Sequence, residues 1–350
     1  MTPTDKSARR GGARPAAGEP TEQAEGERGI GALARRALLS PEISLVLAII
    51  VLGTIIQIQN PVFLKFDNLI LVFKAASATF VMAVAMTFVL ISGGIDLSVG
   101  SMSALGGVSA AMALTAGFPI PVAILIGLLV GAGIGTVIGL LVSWARIPAL
   151  IVTLGALYVV RGIDLVITGG VQIFPLPEAY KFLGQGSFFS VPFLIIYAVV
   201  VGIAAHVALE NSKYGFHLRA VGGNIAAARA AGINVRRITL SVYILSGTCA
   251  ALAGMMISAR TAVGDPASGQ GTEIAVISSV IVGGASLFGA VGSITGTALG
   301  VLLIAIIQNG LLLMNISSYW QFVVLGVVVI GAVAIDSVRR QRVWRTKATT

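Results

Sequence analysis

Residues 121–144 read PVAILIGLLVGAGIGTVIGLLVSW, an apolar stretch without a charged side chain. An α-helix needs about 20 such residues to cross the hydrocarbon core of a bilayer, so this stretch predicts a transmembrane helix. The rest of the chain has the same character, because 56% of its 350 residues are hydrophobic and only 11% are charged. Soluble domains carry about 25% charged residues. We therefore expect lipid, and not water, to cover most of the surface.

Apolar segments of similar length recur along most of the chain and are separated by short polar stretches. Ten such segments can be placed, at residues 43–58, 69–91, 97–116, 121–144, 150–167, 190–208, 238–259, 273–289, 292–314 and 319–337. They predict an all-α membrane protein, a polytopic bundle of about ten transmembrane helices. The pairs Gly93-Gly94 and Gly283-Gly284 leave eight to ten crossings open, because a glycine pair fits either a surface turn or an interruption inside the membrane.

The basic residues indicate the orientation of these helices, since cytoplasmic loops are enriched in Lys and Arg. If the segments alternate from a cytoplasmic N-terminus, most basic residues fall inside, namely the N-terminal tail, Arg146, Lys213, Arg219, Arg229, Arg236, Arg237, Arg339, Arg340, Arg342, Arg345 and Lys347. The residues that fall outside are Lys65, Lys181 and Arg260. Both termini are therefore predicted to be cytoplasmic, which requires an even number of crossings. This topology also explains the net charge of +9 without a nucleic acid partner.

Three regions follow from this pattern. Residues 1–36 are polar and lack hydrophobic periodicity, which predicts a disordered cytoplasmic tail. Residues 37–338 are predicted to form the transmembrane domain, with residues 209–237 as its longest cytoplasmic loop. Residues 339–350 are predicted to form a basic cytoplasmic tail.

The sequence contains none of the usual signs of catalysis. It has no nucleophile–base arrangement, no phosphate-binding glycine loop that ends in Lys-Ser/Thr, and no metal-binding cluster. The single Cys249 is expected to be a small buried hydrophobe, and His206 and His217 lack ligand partners at suitable spacing. We therefore expect no catalytic residue, metal or cofactor in this chain, and ATP could be hydrolysed only by a separate subunit.

A weak internal echo relates the fourth and ninth segments. The fourth segment has glycines at intervals of four residues, at Gly131, Gly135 and Gly139. The ninth segment has the same spacing, at Gly292, Gly296 and Gly300. Helices five crossings apart run in opposite directions, so a true repeat would be an inverted five-plus-five arrangement. Close helix packing alone explains the same glycines. Both interpretations stay open at this point.

Ionisable residues are scarce inside the predicted helices. Arg161 and Asp164 lie one helical turn apart, which favours a local ion pair. Lys74 lies near enough to the outer surface to extend its amine into water. This leaves Asp96 as the carboxylate beside a predicted break, so the energy for transport is expected to come from another subunit.

The breaks themselves are candidates for the path of a solute. Asp96 lies in Ile91-Ser-Gly-Gly-Ile-Asp-Leu-Ser-Val-Gly100 and fits two roles. It can cap the N-terminus of the following helix, or it can stand beside opened backbone that binds a neutral polyhydroxylated ligand. The residues predicted to line a translocation path are Gly93, Gly94, Asp96, Ser98, Gly283, Gly284 and Ser286.

The loop at residues 209–237 contains Gly222-Gly-Asn-Ile-Ala-Ala-Ala-Arg-Ala-Ala-Gly-Ile-Asn234. Asn224 is a good N-cap, the alanines favour a helix and Gly232 is a natural C-cap. A helix of about two turns is unstable alone in water, so it must pack against something. Its small side chains and Arg229 favour a groove on a partner protein over a membrane surface. The residues predicted to contact that partner are Asn224, Ala227, Ala228, Arg229 and Gly232.

These motifs together resemble the ribose-type permease subunits of bacterial ATP-binding-cassette importers, from about residue 68 to residue 337. The resemblance rests on four stretches, which are Met86-Thr-Phe-Val-Leu-Ile-Ser-Gly-Gly-Ile-Asp-Leu-Ser-Val-Gly100, Arg146-Ile-Pro-Ala-Leu-Ile-Val-Thr-Leu-Gly155, the 222–234 segment and Gly283-Gly-Ala-Ser-Leu-Phe-Gly289. Two departures stand out: Lys74 occupies a position where the family leads us to expect Arg, and the N-terminal tail falls outside the match.

The resemblance implies an inner-membrane permease that carries a monosaccharide or a related small polar solute. It implies a homodimer of permeases, two cytoplasmic ATPase subunits and an extracytoplasmic sugar-binding protein. In that family the segment similar to 222–234 is the coupling helix that docks into the ATPase. The alternatives are a permease for nucleosides or branched-chain amino acids, a stand-alone secondary transporter, which the scarcity of membrane carboxylates disfavours, and a membrane-embedded enzyme.

Overall fold

The computed structural model describes residues 41–317, 319–328, 330–331 and 333–334. The tails predicted at residues 1–36 and 339–350 lie outside these residues. The described chain is helical, apart from two antiparallel strands of two residues each, β1 (Ser187–Phe188) and β2 (Val191–Pro192). The prediction of an all-α fold is therefore confirmed.

The helices follow one another with short connections. In chain order they are α1 (Pro41–Gln59), α2 (Phe66–Ile91), α3 (Val99–Thr115), α4 (Ile120–Ser143), α5 (Ala149–Thr168), α6 (Glu178–Gln185), α7 (Phe193–Glu210), α8 (Lys213–Gly223), α9 (Ile225–Ala230), α10 (Val235–Thr261), α11 (Thr272–Val282), α12 (Ile294–Leu313) and α13 (Tyr319–Val328). Within the described residues, seven are long and apolar enough to span a bilayer, namely α1, α2, α4, α5, α7, α10 and α12. Helices α3, α11 and α13 are apolar but shorter.

The predicted eighth segment differs most from the structure. The sequence places an apolar segment at residues 273–289, whereas α11 ends at Val282. Its C-cap is Gly283, and Gly284 has a φ of 93°, a left-handed conformation that stops an α-helix. The glycine pair therefore ends this helix instead of only kinking it.

The centre of the described bundle is formed by α2 and α10, which are packed on several sides. Residues 81–91 of α2 are buried almost without interruption, and α10 contacts α2, α3 and α4. Cys249 is buried in α10, as the sequence predicts. Outer helices such as α5 and α7 leave large apolar side chains exposed, for example Val166 and Ile203. Exposed apolar surface on long apolar helices is the pattern of a lipid-facing protein.

Glycine allows the close approach of α4 to α10. A methyl group added at Gly131 would overlap the carbonyl oxygen of Gly247, and one added at Gly247 would overlap that of Gly131. Gly135 faces the backbone of Tyr243 in the same way. Small residues let two helix backbones meet where lipid provides no hydrophobic drive for association.

Polar pairs join α2 to α12 at two levels. The side-chain amides of Asn68 and Asn309 donate to each other, with both nitrogen–oxygen distances 3.0 Å. Nearer the end of α2, the hydroxyls of Thr87 and Thr297 are hydrogen-bonded at 2.7 Å. Both threonine side chains are fully buried. These bonds fix the register of α12 against the break that follows α2.

Candidate functional site

The two predicted breaks have the same backbone geometry. Helix α2 ends with Ser92 as its C-cap, and Gly93 follows with a φ of 81°. The Gly93 N–H donates to the Leu90 carbonyl at 2.9 Å, and the Gly94 N–H donates to the Val89 carbonyl at 3.0 Å. This pair of bonds is the Schellman motif, which satisfies the last carbonyls of a helix.

Helix α11 ends in the same motif. The Gly284 N–H donates to the Ile281 carbonyl at 2.9 Å, and the Ala285 N–H donates to the Val280 carbonyl at 3.1 Å. The turn that follows is closed by a bond from the Ser286 N–H to the Val291 carbonyl at 3.0 Å. Each break is therefore a helix end whose last carbonyls are hydrogen-bonded. These bonds fix the direction in which the chain leaves the helix.

The fold brings the regions of the two breaks into direct contact. The Ala290 N–H, in the turn after α11, donates to the carbonyl of Ile91, the last residue of α2, at 2.8 Å. Gly292 lies against the side chain of the same isoleucine, because a methyl group added there would be 2.9 Å from its Cγ1 atom. Gly93, Gly94, Gly284 and Ser286 retain partial or full exposure, whereas Gly283 is buried.

Asp96 is a buried anchor between the first break and α10. Its Oδ1 accepts from the backbone N–H and the hydroxyl of Ser98 at 2.9 and 2.5 Å, and its Oδ2 accepts from the hydroxyl of Ser246 at 2.6 Å. Asp96 and Ser98 have no exposed surface. The N-cap of α3 is Ser98, so the interpretation of Asp96 as that cap is wrong. Asp96 instead fastens the extended stretch before α3 to the middle of α10.

The loop at residues 209–237 folds into two short helices with the predicted caps. The side chain of Asn224 accepts from the Ala227 N–H at 3.0 Å and begins α9. Gly232, with a φ of 78°, ends it, and the Ile233 N–H donates to the Ala228 carbonyl at 3.0 Å. Ala228 is only 3% exposed, while Ala227 and Arg229 are exposed. Ala228 therefore packs against its own chain, and the outward surface of α9 consists of its neighbours.

Gly222, at the end of α8, connects this loop to both breaks. A methyl group added at Gly222 would overlap the carbonyl oxygen of Ile91 and would lie 2.8 Å from the backbone nitrogen of Ala290. The reverse contact also exists, since a methyl group added at Gly289 would be 2.6 Å from the Gly222 oxygen. Sequence reasoning missed this residue. The available signal was a Gly-Gly pair placed directly before a helix cap, which indicates close approach of another backbone.

The predicted ion pair between Arg161 and Asp164 does not form. Arg161 donates from Nη1 to the carbonyls of Pro266 and Ser268 at 2.5 and 2.8 Å. Asp164 is fully buried, and neither of its carboxylate oxygens has a hydrogen-bond partner in the described chain. Arg161 and Asp164 have the spacing that an ion pair on one helix needs. The guanidinium group of Arg161 instead binds carbonyls of the segment at residues 262–271.

Comparisons with known proteins identify the family. The family model described as "Branched-chain amino acid transport system / permease component" matches residues 68–333. The chain belongs to this permease family. Escherichia coli K12 ribose import permease protein RbsC is 37% identical over 306 residues, covering 86% of this chain and 95% of the relative. No solved structure gives a significant match.

Other relatives carry the names of different sugars. The L-arabinose ABC transporter permease protein AraH of Azospirillum brasilense is 35% identical, covering 85% of the chain and 88% of the relative. The D-allose transport system permease protein AlsC of Escherichia coli K12 is 35% identical, covering 78% and 84%. These relatives are transport permeases and not enzymes. Family membership and seven long apolar helices make the chain a multi-pass protein of the bacterial inner membrane.

Proposed function

We propose that this permease is the membrane-spanning subunit of an ATP-binding-cassette importer that carries a monosaccharide or a closely related small polar solute into the cell. The observation that carries this proposal is similarity, over 78–86% of the chain, to permeases named for ribose, L-arabinose and D-allose. The sugar differs among these relatives while the chain stays similar. The solute class is therefore inferred, and the individual sugar is left to the binding protein.

The proposed assembly is a homodimer of permeases with two cytoplasmic ATPase subunits and an extracytoplasmic sugar-binding protein. The outward surface of α9, with Ile225, Ala227 and Arg229, is proposed as the site where the ATPase docks. Its exposed isoleucine, on a short capped helix, suits a groove in a partner. Because Gly222 lies against both breaks, movement of the docked helix pair would act directly on them.

We propose ten crossings with both termini in the cytoplasm. Ten apolar helices in the described chain support this count, and the basic residues support the orientation. An inverted five-plus-five repeat is proposed with it. Helix α4 packs on α10 and α12 packs on α2, as expected if α4 corresponds to α12 and α10 corresponds to α2.

The translocation path is proposed to run beside the two breaks. Gly93, Gly94, Gly284 and Ser286 have exposed surface there, whereas Asp96 and Ser98 have none. The two buried residues could line the path only if α3 and α10 separate during transport. Gly283 packs against the backbone of Gly296, so its part in the path would also need helix movement.

A stand-alone secondary transporter is the second candidate, because Asp164 is a buried carboxylate without a hydrogen-bond partner in the described residues. Such a carboxylate could bind a coupling proton. Uptake driven by a proton gradient in liposomes that lack the ATPase would favour this function. Similarity to subunits of ATP-binding-cassette importers favours the first proposal.

The function is tested by uptake of radiolabelled D-ribose, L-arabinose, D-allose or D-xylose into proteoliposomes that contain the permease, its cognate ATPase and loaded binding protein. We expect uptake only with ATP inside the compartment that holds the ATPase. Ala226→Trp, on the exposed side of α9, should reduce both ATPase copurification and uptake at least tenfold. The bulky ring would keep α9 from entering the proposed groove on the ATPase. Ala145→Trp, on the exposed loop between α4 and α5, is the matched control and should behave like wild type.

The topology is tested by cysteine labelling in a Cys249→Ala background. Glu178→Cys and Ala267→Cys occupy exposed positions and should react with an impermeant thiol reagent in intact spheroplasts. Ala226→Cys should react only after permeabilisation, because the charge distribution places α9 inside. Labelling of position 226 in intact spheroplasts would show that the orientation is reversed.

A further inference from the structure

A small polar cavity lies among α3, α10 and the segment at residues 262–271, away from the two breaks. Its volume is about 290 Å³, near the lower end of ligand-binding pockets. The polar side chains that line it are Ser103, Gln172, Ser258, Thr261, Asp265 and Ser268. In the proposed topology this cavity is on the extracytoplasmic half, because Thr261 is the last residue of α10.

An isolated backbone bridge brings the chain segments of Gln172 and Asp265 together at this cavity. Ile173 and Gly264 form an antiparallel bridge, with N–H to carbonyl distances of 2.8 and 3.0 Å. The residues next to such a pair, one before Ile173 and one after Gly264, are Gln172 and Asp265. Both side chains line the cavity.

Both groups keep unused hydrogen-bonding capacity. Asp265 Oδ1 accepts from the Ala267 N–H at 2.9 Å, while Oδ2 receives no hydrogen bond from the described chain. The side-chain amide of Gln172 forms no hydrogen bond within the same residues, although it can both donate and accept. A carboxylate oxygen and an amide that line one cavity without partners in the described chain can bind hydroxyl groups of one small molecule.

The surrounding protein holds this pair in place. Arg161 fixes the segment by donating to the carbonyls of Pro266 and Ser268, which both belong to the turn that begins at Asp265. Ser258 is held by a 2.8 Å hydrogen bond with the hydroxyl of Tyr180. Burial raises the pKa of Tyr180 to about 12, further above physiological pH than its usual value. A site positioned in this way can bind a ligand without first being ordered.

The lining charges select the class of ligand. Asp265 is the only charged residue among those that line the cavity, and none of them carries a positive charge. An amino acid could place its ammonium group against Asp265, but its carboxylate would then find no positively charged side chain among the residues that line the cavity. A neutral sugar satisfies the free oxygen and the amide with hydroxyl groups and incurs no such penalty.

We propose that this cavity is where the permease accepts its solute from outside, that the ligand is a neutral polyhydroxylated molecule, and that Gln172 and Asp265 determine this specificity. The proposal rests on the proposed sugar-importing function and assigns the entry site for it. The binding protein would release the sugar next to this pair, and the paired groups would hold it before the helices open toward the breaks.

The test compares Gln172→Leu and Asp265→Asn with the wild-type permease in the reconstituted complex. The first change keeps the size of the side chain and removes its hydrogen bonds; the second keeps the Oδ1 acceptor for Ala267 and removes the charge. We expect each to lower the initial rate of ATP-driven D-ribose uptake about tenfold or more at subsaturating sugar. Gln270→Leu and Asp67→Asn, at exposed positions outside the cavity, are matched controls expected to stay within twofold of wild type.

A second measurement does not depend on transport or on those two variants. In a Cys249→Ala background, Thr261→Cys places a thiol in the cavity, where D-ribose should slow its labelling at least threefold and L-leucine should not. Copurification with the ATPase verifies that each variant is folded. The cavity assignment alone is overturned if three results occur together. The wild-type permease takes up ribose, both cavity variants take it up at the same rate, and ribose does not slow labelling of the thiol. Uptake of L-leucine and of none of the four sugars overturns the proposed function and the cavity assignment together.

Discussion

Gly222→Ala should lower ATP-driven sugar uptake by at least tenfold, although it adds a single methyl group. That group would overlap the carbonyl oxygen of Ile91, which cannot move freely because it accepts the Ala290 N–H at 2.8 Å. Relief of the overlap requires α8 to shift from the ends of both breaks. Overpacking of this kind costs about 1–3 kcal/mol, and it occurs where the proposed ATPase-docking helices contact the proposed path.

The adjacent glycine provides the control. A methyl group added at Gly223 would lie 3.7 Å from the Cβ of Ala290, an ordinary contact, so Gly223→Ala should transport like wild type. Uptake and ATPase copurification are measured for both variants. We expect Gly222→Ala to copurify with the ATPase and to hydrolyse ATP without matching uptake. Normal uptake in this variant would show that the contact between α8 and the breaks has no part in coupling.

The long helices were largely predictable from sequence because each is an apolar run, whereas the polar helices α6 and α8 were not predicted. Local chemistry also predicted several helix ends. Asn224 and Gly232 are a cap and a stop that act within four residues of themselves, and both occur as predicted. The breaks at Gly93 and Gly284 were visible for the same reason, since a left-handed residue ends a helix wherever it occurs.

The contacts between these elements were not predictable in the same way. Asp96 is held by Ser246, 150 residues away, and nothing near Asp96 in the sequence distinguishes that serine from others. Arg161 had a suitable acceptor one turn away and instead binds carbonyls more than 100 residues distant. A pattern within one helix predicts which pairs can form, whereas packing between helices decides which of them do form.

Asp96 and Asp164 form a natural comparison of two buried carboxylates. Each side chain is fully buried within the described chain. Asp96 accepts three hydrogen bonds, from the backbone N–H of Ser98 and from two serine hydroxyls. Asp164 accepts none from the described residues. The free energy of burying a charged group depends on whether hydrogen bonds replace those lost from water, so opposite effects of substitution are expected at the two sites.

Asp96→Ala should be among the most destabilising single substitutions in the permease. It leaves the Ser98 N–H and two buried hydroxyls without their acceptor, and a hydrogen bond to a charged group contributes about 1.5–3 kcal/mol. It also frees the stretch between α2 and α3 from α10. We expect a large loss of monodisperse protein in detergent and a markedly lower midpoint of thermal unfolding, measured by fluorescence-detected size exclusion after heating.

Asp164→Leu should leave the unfolding midpoint unchanged or raise it, because an apolar side chain of similar size replaces a buried carboxylate that lacks hydrogen-bond partners. The same preparation is then tested for ATP-driven sugar uptake. Retained uptake would mean that transport needs no protonatable group at this position. That result is expected if ATP hydrolysis, and not a proton gradient, drives the importer. A stable protein that has lost uptake would instead assign Asp164 a role in coupling and favour the secondary transporter. A fall in the midpoint as large as that of Asp96→Ala would contradict the comparison, because it would require partners for Asp164 that the described helices do not provide.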